Sequence, residues 1–116
     1  MTAVASLEDL RRGRSRPLDA SARLDGAALA AQLTVLPDWT VVDDALQRRF
    51  EFPDFHRTIG FVNALAWMAN AQDHHPDLQV SYARCTVRWS THSAHGITLN
   101  DFICAAQSDA LAAVGH

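Results

Sequence analysis

No lysine occurs anywhere in the chain, so its positive charge rests on ten arginines. Five of them (Arg11, Arg12, Arg14, Arg16 and Arg23) crowd into the first 23 residues. Only two cysteines are present, Cys85 and Cys104, which makes a disulfide framework improbable; two reduced thiols are expected. No apolar run approaches the roughly 18 residues of a membrane span. No charged-then-apolar leader with a small-residue cleavage site opens the sequence, so secretion is not expected and a cytoplasmic location is.

What is present suits one domain. The chain has 116 residues and 12.7 kDa, with 48% apolar and 20% charged residues, enough to bury a core and too apolar for global disorder. The net charge of -3 hides an asymmetry, because the first 23 residues are net basic and all that follows is acidic. An acidic body offers no face that tracks phosphates, so a nucleic-acid partner is disfavoured. Residues 1–23 lack sustained periodicity and read as a flexible basic N-terminal extension with little to bury, with at most a short helical turn near Leu7–Arg12. Residues 24–116 then form the folded domain. On this reading, deletion of residues 1–23 leaves folding nearly unchanged.

Asp25 can cap a helix carrying Ala28, Leu29, Leu33 and Leu36, which Pro37 ends. Trp39–Val42 and Leu46–Phe52 read as strands around an Asp43–Asp44 turn. From Asp54, the spacing of Phe55, Ile59, Val62, Ala66 and Ala69 predicts a long core helix, its stripe widened by Phe61, Leu65 and Met68. Pro76 cannot continue it. Two alternating runs follow, with Leu78, Val80 and Tyr82 on one face and Cys85, Val87 and Trp89 on the other run's face. A two-residue turn at Ala83–Arg84 would pair Tyr82 with Cys85, Val80 with Val87 and Leu78 with Trp89. A last helix starts after Thr98 and buries Leu99, Phe102, Ile103, Ala106, Ala110 and Leu111. The order α-β-β-α-β-β-α implies an α+β fold, a single four-stranded antiparallel sheet with helices on one face.

Four of the six histidines, His74, His75, His92 and His95, fall in one short stretch. In the register above, His75 and His92 face each other at the open end of the hairpin, with His74 beside them. Imidazole suits proton transfer near neutral pH, and three crowded rings are costly to charge together. His92 and His95 could also form a metal pair. No second carboxylate or cysteine stands at ligand spacing, so no metal is expected. Asp101 can complete a Thr98-x-x-Asp101 capping box, serve the site, or do both. Trp39, Trp67 and Trp89 read as core or interface, although Trp39 could also support a ligand. His56 and His116 read as surface.

The run Asp73-His74-His75-Pro76, then Tyr82, Ser90-Thr91-His92, Gly96 and Asp101 resembles the pterin-4a-carbinolamine dehydratases. The Leu36-Pro-Asp-Trp39 and Phe50-Glu-Phe-Pro-Asp-Phe55 runs are similar to that family too. The resemblance implies dehydration of a 4a-hydroxytetrahydropterin to a quinonoid dihydropterin, which is then reduced and reused by aromatic amino acid hydroxylases. It implies His74, His75 and His92 as acid–base residues, and no cofactor. It places Asp73–His75 and Ser90–Ser93 (with Ser90 and Thr91 as polar contacts) along the pterin, and Asp101, Pro76 and Trp39 in support. It implies a homodimer through sheet edges or a homotetramer through helices. The family also includes dimerisation and assembly cofactors, so a non-catalytic binding protein is the alternative. Two positions depart from the pattern: Asn70 stands where a glutamate is usual, and Leu78 where an aromatic is.

Overall fold

The computed structural model describes residues 3–114, so His116 lies outside the described residues. Four strands, β1 (Thr40–Val42), β2 (Ala45–Glu51), β3 (Asp77–Ser81) and β4 (Arg84–Trp89), form one antiparallel sheet in the order β1-β2-β4-β3. The helices are α1 (Leu7–Arg11), α2 (Gly26–Leu33), α3 (Phe55–Gln72) and α4 (Leu99–Val114). The expected element order is therefore present, preceded by α1. None of the described helices is long and apolar enough to cross a membrane.

The two hairpins turn for different reasons. In β1–β2, Val42 pairs with Ala45 around Asp43 and Asp44, both left-handed at φ 47° and 61°. That conformation matches the twist of the strands, and aspartate tolerates it better than most residues. In β3–β4, Ser81 pairs with Arg84, Val80 with Cys85 and Leu78 with Val87. The turn is thus Tyr82–Ala83, one residue earlier than expected, and the register is displaced by two. A two-residue displacement keeps every side chain on its face, so alternation alone cannot detect it. Contacts from outside the hairpin set the turn. The Thr58 hydroxyl donates to the Tyr82 carbonyl at 3.1 Å and the Phe52 N–H to the Ala83 carbonyl at 2.8 Å.

One face of the sheet carries Leu46, Phe50, Cys85, Val87 and Trp89, all buried beneath α3 and α4. The other carries Gln47, Arg49, Glu51, Thr86 and Arg88. The buried stripe of α3 is Thr58, Phe61, Leu65, Ala69 and Gln72. It is rotated from the expected one, because Phe61 must meet Phe50 and Phe52, with ring centroids 4.8 and 5.2 Å apart. Phe55 and Trp67 are left exposed. Asp25 takes the N-cap position of α2, but its carboxylate binds Arg23 Nε at 3.0 Å rather than the helix.

The expectation of a solvated leader fails for residues 3–23. Ser6 and Asp9 close a reciprocal capping box on α1, which directs Leu10 into the main core at 1% exposure. The physical reason lies in α4, which is apolar beyond the face it turns to the sheet; Leu10 and Ile103 belong to one buried cluster. Gly13 lets the arm pass directly over Ile103, since a Cβ there would meet its side chain at 2.8 Å. The Gln32 amide exchanges two hydrogen bonds of 2.9 Å with the Ala5 backbone, and the Gln107 amide reaches the Arg11 and Gly13 carbonyls.

Candidate active site

The end of α3 is shaped by one left-handed residue. Asp73 (φ 50°) caps the helix, and the His74 N–H turns back to the Ala69 carbonyl at 3.1 Å. Pro76 cannot continue the helix and holds His75 extended, and β3 begins directly afterwards. His74 and His75 are therefore held where the helix has stopped and the strand has not started. Across the sheet, β4 runs out at Trp89 into Ser90 and Thr91. Two backbone bonds between Thr91 and Gly96 close a small loop around a 3-10 turn, His92–Ala94, with His95 left-handed at φ 56°.

Asp101 joins these pieces. It is fully buried, with Oδ2 accepting from the Thr98 N–H at 2.9 Å and the Thr91 hydroxyl at 2.8 Å. Oδ1 lies 2.6 Å from His74 Nε2. The Thr98 and Thr91 hydroxyls are bonded to each other at 2.8 Å, and Thr98 Oγ1 also accepts from the Asn100 N–H. Asp101 thus caps α4 and holds the His74 ring at once. The His74 ring stacks on Trp89, with centroids 5.5 Å apart and planes 15° apart, and Trp89 is itself pinned by its indole N–H to Ser108. An imidazole facing a carboxylate through Nε2 keeps its proton there, which leaves Nδ1 to exchange one. His74 Nδ1 has no partner among the described residues.

His75 is exposed, with Nε2 3.1 Å from the amide oxygen of Asn70. Asn70 thus orients His75 much as a carboxylate would, without the charge that favours an imidazolium. His92 is exposed, and its ring has no partner among the described residues.

A cavity of about 520 Å³ brings together Asp73, His74, His75, Pro76, Ser90, Thr91, His92 and Ser93, with Asp101 directly behind His74. That volume lies within the range of small-molecule sites. The route by which His92 arrives differs from the expected one. In the observed register Ser90, not His92, continues opposite His75, and the Thr91–Gly96 loop carries His92 to the cavity. The hydroxyls expected to meet a ligand already donate to protein: Ser90 to the Asp44 carbonyl at 3.1 Å, Thr91 to Asp101, and Ser93 to the Leu18 carbonyl. The oxygens of Ser90 and Ser93 remain acceptors, whereas that of Thr91 already accepts from the Thr98 hydroxyl.

Trp39 does not join the cavity. It is buried against Phe50, and its indole N–H donates to Asp109 at 2.9 Å. His95 stays outside as well, and no group of three or more metal-ligating side chains is assembled among the described residues. Burial pushes the Cys85 thiol up to about 11 and Cys104 higher still, so both are protonated at neutral pH. Sequence reasoning missed Gln72, Asp77, Asn100 and the arm residues Ser15–Leu18 as cavity lining. The Ser6-x-x-Asp9 capping box was the signal that could have exposed the arm as structured.

The family model described as pterin 4 alpha carbinolamine dehydratase matches residues 22–111. A Chromobacterium violaceum protein provisionally named a pterin-4-alpha-carbinolamine dehydratase is 56% identical over 68% of this chain and 73% of its own. A Stenotrophomonas maltophilia protein of the same provisional name is 47% identical over 93% of this chain and 96% of its own. The crystal structure of a transcriptional coactivator/pterin dehydratase from Brucella melitensis superposes with a TM-score of 0.75 at 36% identity. It covers 78% of this chain and 98% of that one.

Proposed function

The chain belongs to the pterin-4-alpha-carbinolamine dehydratase family, a hydro-lyase family, and from that premise we propose that it removes water from a 4a-hydroxytetrahydropterin by histidine acid–base catalysis. The observation that carries this reading is the buried Asp101–His74 contact of 2.6 Å at the edge of a cavity that His75 and His92 also line.

The reaction needs one proton in and one proton out. The C4a–O bond breaks as the hydroxyl takes a proton and leaves as water. The N5–H proton is removed, and its electron pair becomes the C4a=N5 double bond of the quinonoid dihydropterin. Atoms and charge balance with no oxidant or reductant. His74, backed by a buried carboxylate, suits the base: a proton taken at Nδ1 makes an imidazolium whose other N–H already faces Asp101. His75 and His92 have no carboxylate behind them and suit delivery of the proton to the leaving hydroxyl. The product is a substrate for reduction, which would return the tetrahydropterin for reuse.

Absorbance of chemically generated 4a-hydroxytetrahydropterin tests this. Wild type should accelerate its loss, and His74→Ala and His92→Ala should each be slower by about 10²–10⁴-fold. A wild-type rate equal to the uncatalysed one would end the proposal. It would favour the second reading, a non-catalytic dimerisation or assembly cofactor, which the coactivator half of the Brucella protein's name supports. A homodimer or homotetramer is part of the proposal. The β3 edge exposes Leu78 and Val80, and α3 exposes Trp67, which suits contact with further copies. Sedimentation velocity should show a species larger than 12.7 kDa.

A further inference from the structure

One wall of the cavity is built from chain that the family model does not reach. The match begins at residue 22, yet Ser15, Arg16, Pro17 and Leu18 line the same cavity as the three histidines. This stretch is tied down at three places. Ser15 gives its N–H to Gln72 Oε1 at 2.7 Å and its hydroxyl to the Gln72 carbonyl. Arg16 exchanges two bonds with the Asn100 amide, its N–H to Oδ1 at 3.2 Å and its carbonyl accepting from Nδ2 at 2.7 Å. The Leu18 carbonyl accepts from the Ser93 hydroxyl. Each anchor adjoins a segment that carries the site: Gln72 precedes Asp73-His74-His75, Ser93 follows His92, and Asn100 precedes Asp101. The strap therefore touches every piece of chain that brings an acid–base residue to the cavity.

The backbone of Arg16 is fully engaged, whereas its guanidinium has no hydrogen-bond or ion-pair partner among the described residues. It is also the sole arginine among the residues lining this cavity, in a chain with no lysine, and so the cavity's one permanent positive charge. Arg16 thus has a fixed root and an exposed, unpaired head at the cavity wall. A planar guanidinium suits acceptor oxygens, carboxylate most of all.

We propose that Ser15–Leu18 is a substrate-contacting wall of the active site and that Arg16 is its specificity-determining residue, binding acceptor oxygens on the pterin and favouring a carboxylate-bearing substituent at C6. This deepens the dehydratase reading and rests on it for the identity of the ligand.

The test is equilibrium binding of 6-carboxypterin and 6-methylpterin, followed by pterin fluorescence, to the full chain and to Arg16→Ala, Arg16→Lys and Arg14→Ala. Arg16→Ala keeps every backbone tie, so its fold and melting temperature should match wild type. Arg14 is exposed on the same arm but does not line this cavity, and serves as the control. Arg16→Ala should weaken 6-carboxypterin by about tenfold, the cost of a lost charge-assisted contact. It should weaken 6-methylpterin by less than about threefold, and Arg16→Lys should recover part of the loss. In turnover, Arg16→Ala should raise KM and leave kcat within about twofold, the pattern of lost uniform binding. Equal behaviour of Arg16→Ala and Arg14→Ala overturns the proposal. If wild type turns over while Arg16→Ala binds as wild type does, the wall falls and the dehydratase stands. If the binding differences appear in a protein without turnover, the reverse holds. A wild type that binds neither pterin overturns the proposed wall, and its turnover alone then decides the dehydratase reading.

Discussion

Helix α4 carries two carboxylates eight residues apart, Asp101 fully buried and Asp109 partly so, and they have opposite fates. At its N-terminal end, Asp101 faces the His74 imidazole, the Thr91 hydroxyl and the Thr98 N–H. Toward its C-terminal end, Asp109 faces the Trp39 indole at 2.9 Å and the Arg48 guanidinium at 2.7 Å, which in turn lies over the Phe50 ring. The residue type and the helix are alike; the partners differ, and Asp101 is the more deeply buried of the two. A guanidinium does not titrate near neutral pH, so Asp109 can only hold the sheet to the helix. Asp101 instead faces an imidazole, the group to which the proposed reaction assigns the role of base. A buried acid becomes part of a site through the chemistry of what it touches.

Replacing Asp101 with asparagine attacks the comparison at its functional end and should give the largest effect. The amide cannot stabilise an imidazolium, so kcat should fall by about 10²-fold or more, with a smaller change in KM. A kcat within tenfold of wild type would show that the carboxylate only caps the helix. Next in size is the arm that roofs the helix between these two ends. Leu10→Ala should destabilise the protein by about 2–5 kcal/mol, read as a lower urea midpoint, because it empties a core position. A loss below about 0.5 kcal/mol would return the arm to the status of a leader.

Asp109→Asn should cost about 1–3 kcal/mol of stability and leave turnover within about twofold, the reverse of the Asp101 pattern. Its pH dependence sharpens the contrast. Burial holds the Asp109 carboxyl above its usual value of 3.8, against the hydrogen bond from Trp39 and the charge of Arg48. The folded chain therefore keeps this proton to higher pH than the unfolded one. The resulting stability is fully present below the unfolded value and is lost as pH rises through the folded one. The difference in urea midpoint between wild type and Asp109→Asn should accordingly shift against wild type as pH rises from 4 toward neutral. The smallest effect is a null one. Cys104, between the two acids, and Cys85 on β4 should resist alkylation in the native protein at pH 7.5 and react fully in denaturant, since burial keeps both thiols protonated. Rapid labelling without unfolding would mean that this core opens.

Much of the site was legible because short-range rules place it. A proline after two histidines ends a helix, and a threonine three residues before an aspartate caps one, so His74, His75 and Asp101 stand where those rules put them. Alternation showed which faces of β3 and β4 are apolar, and the doubled aspartate marked the first hairpin. The second turn carries no such chemical mark, and its position follows from Thr58 and Phe52 reaching in from other elements. The stripe of α3 was displaced for a similar reason, since several apolar residues compete and the position of Phe50 selects Phe61 among them.

From its residues alone the chain determined its α+β order, the parity of its strands and the two histidines at the end of its longest helix, because these depend on spacing within a few residues. Tertiary structure decided the hairpin register, the loop that delivers His92, the exclusion of Trp39 and the docking of the arm. A five-residue helix is too short to display a period of its own, and what holds it is the apolar side of a helix about ninety residues further along the chain, which no local window contains.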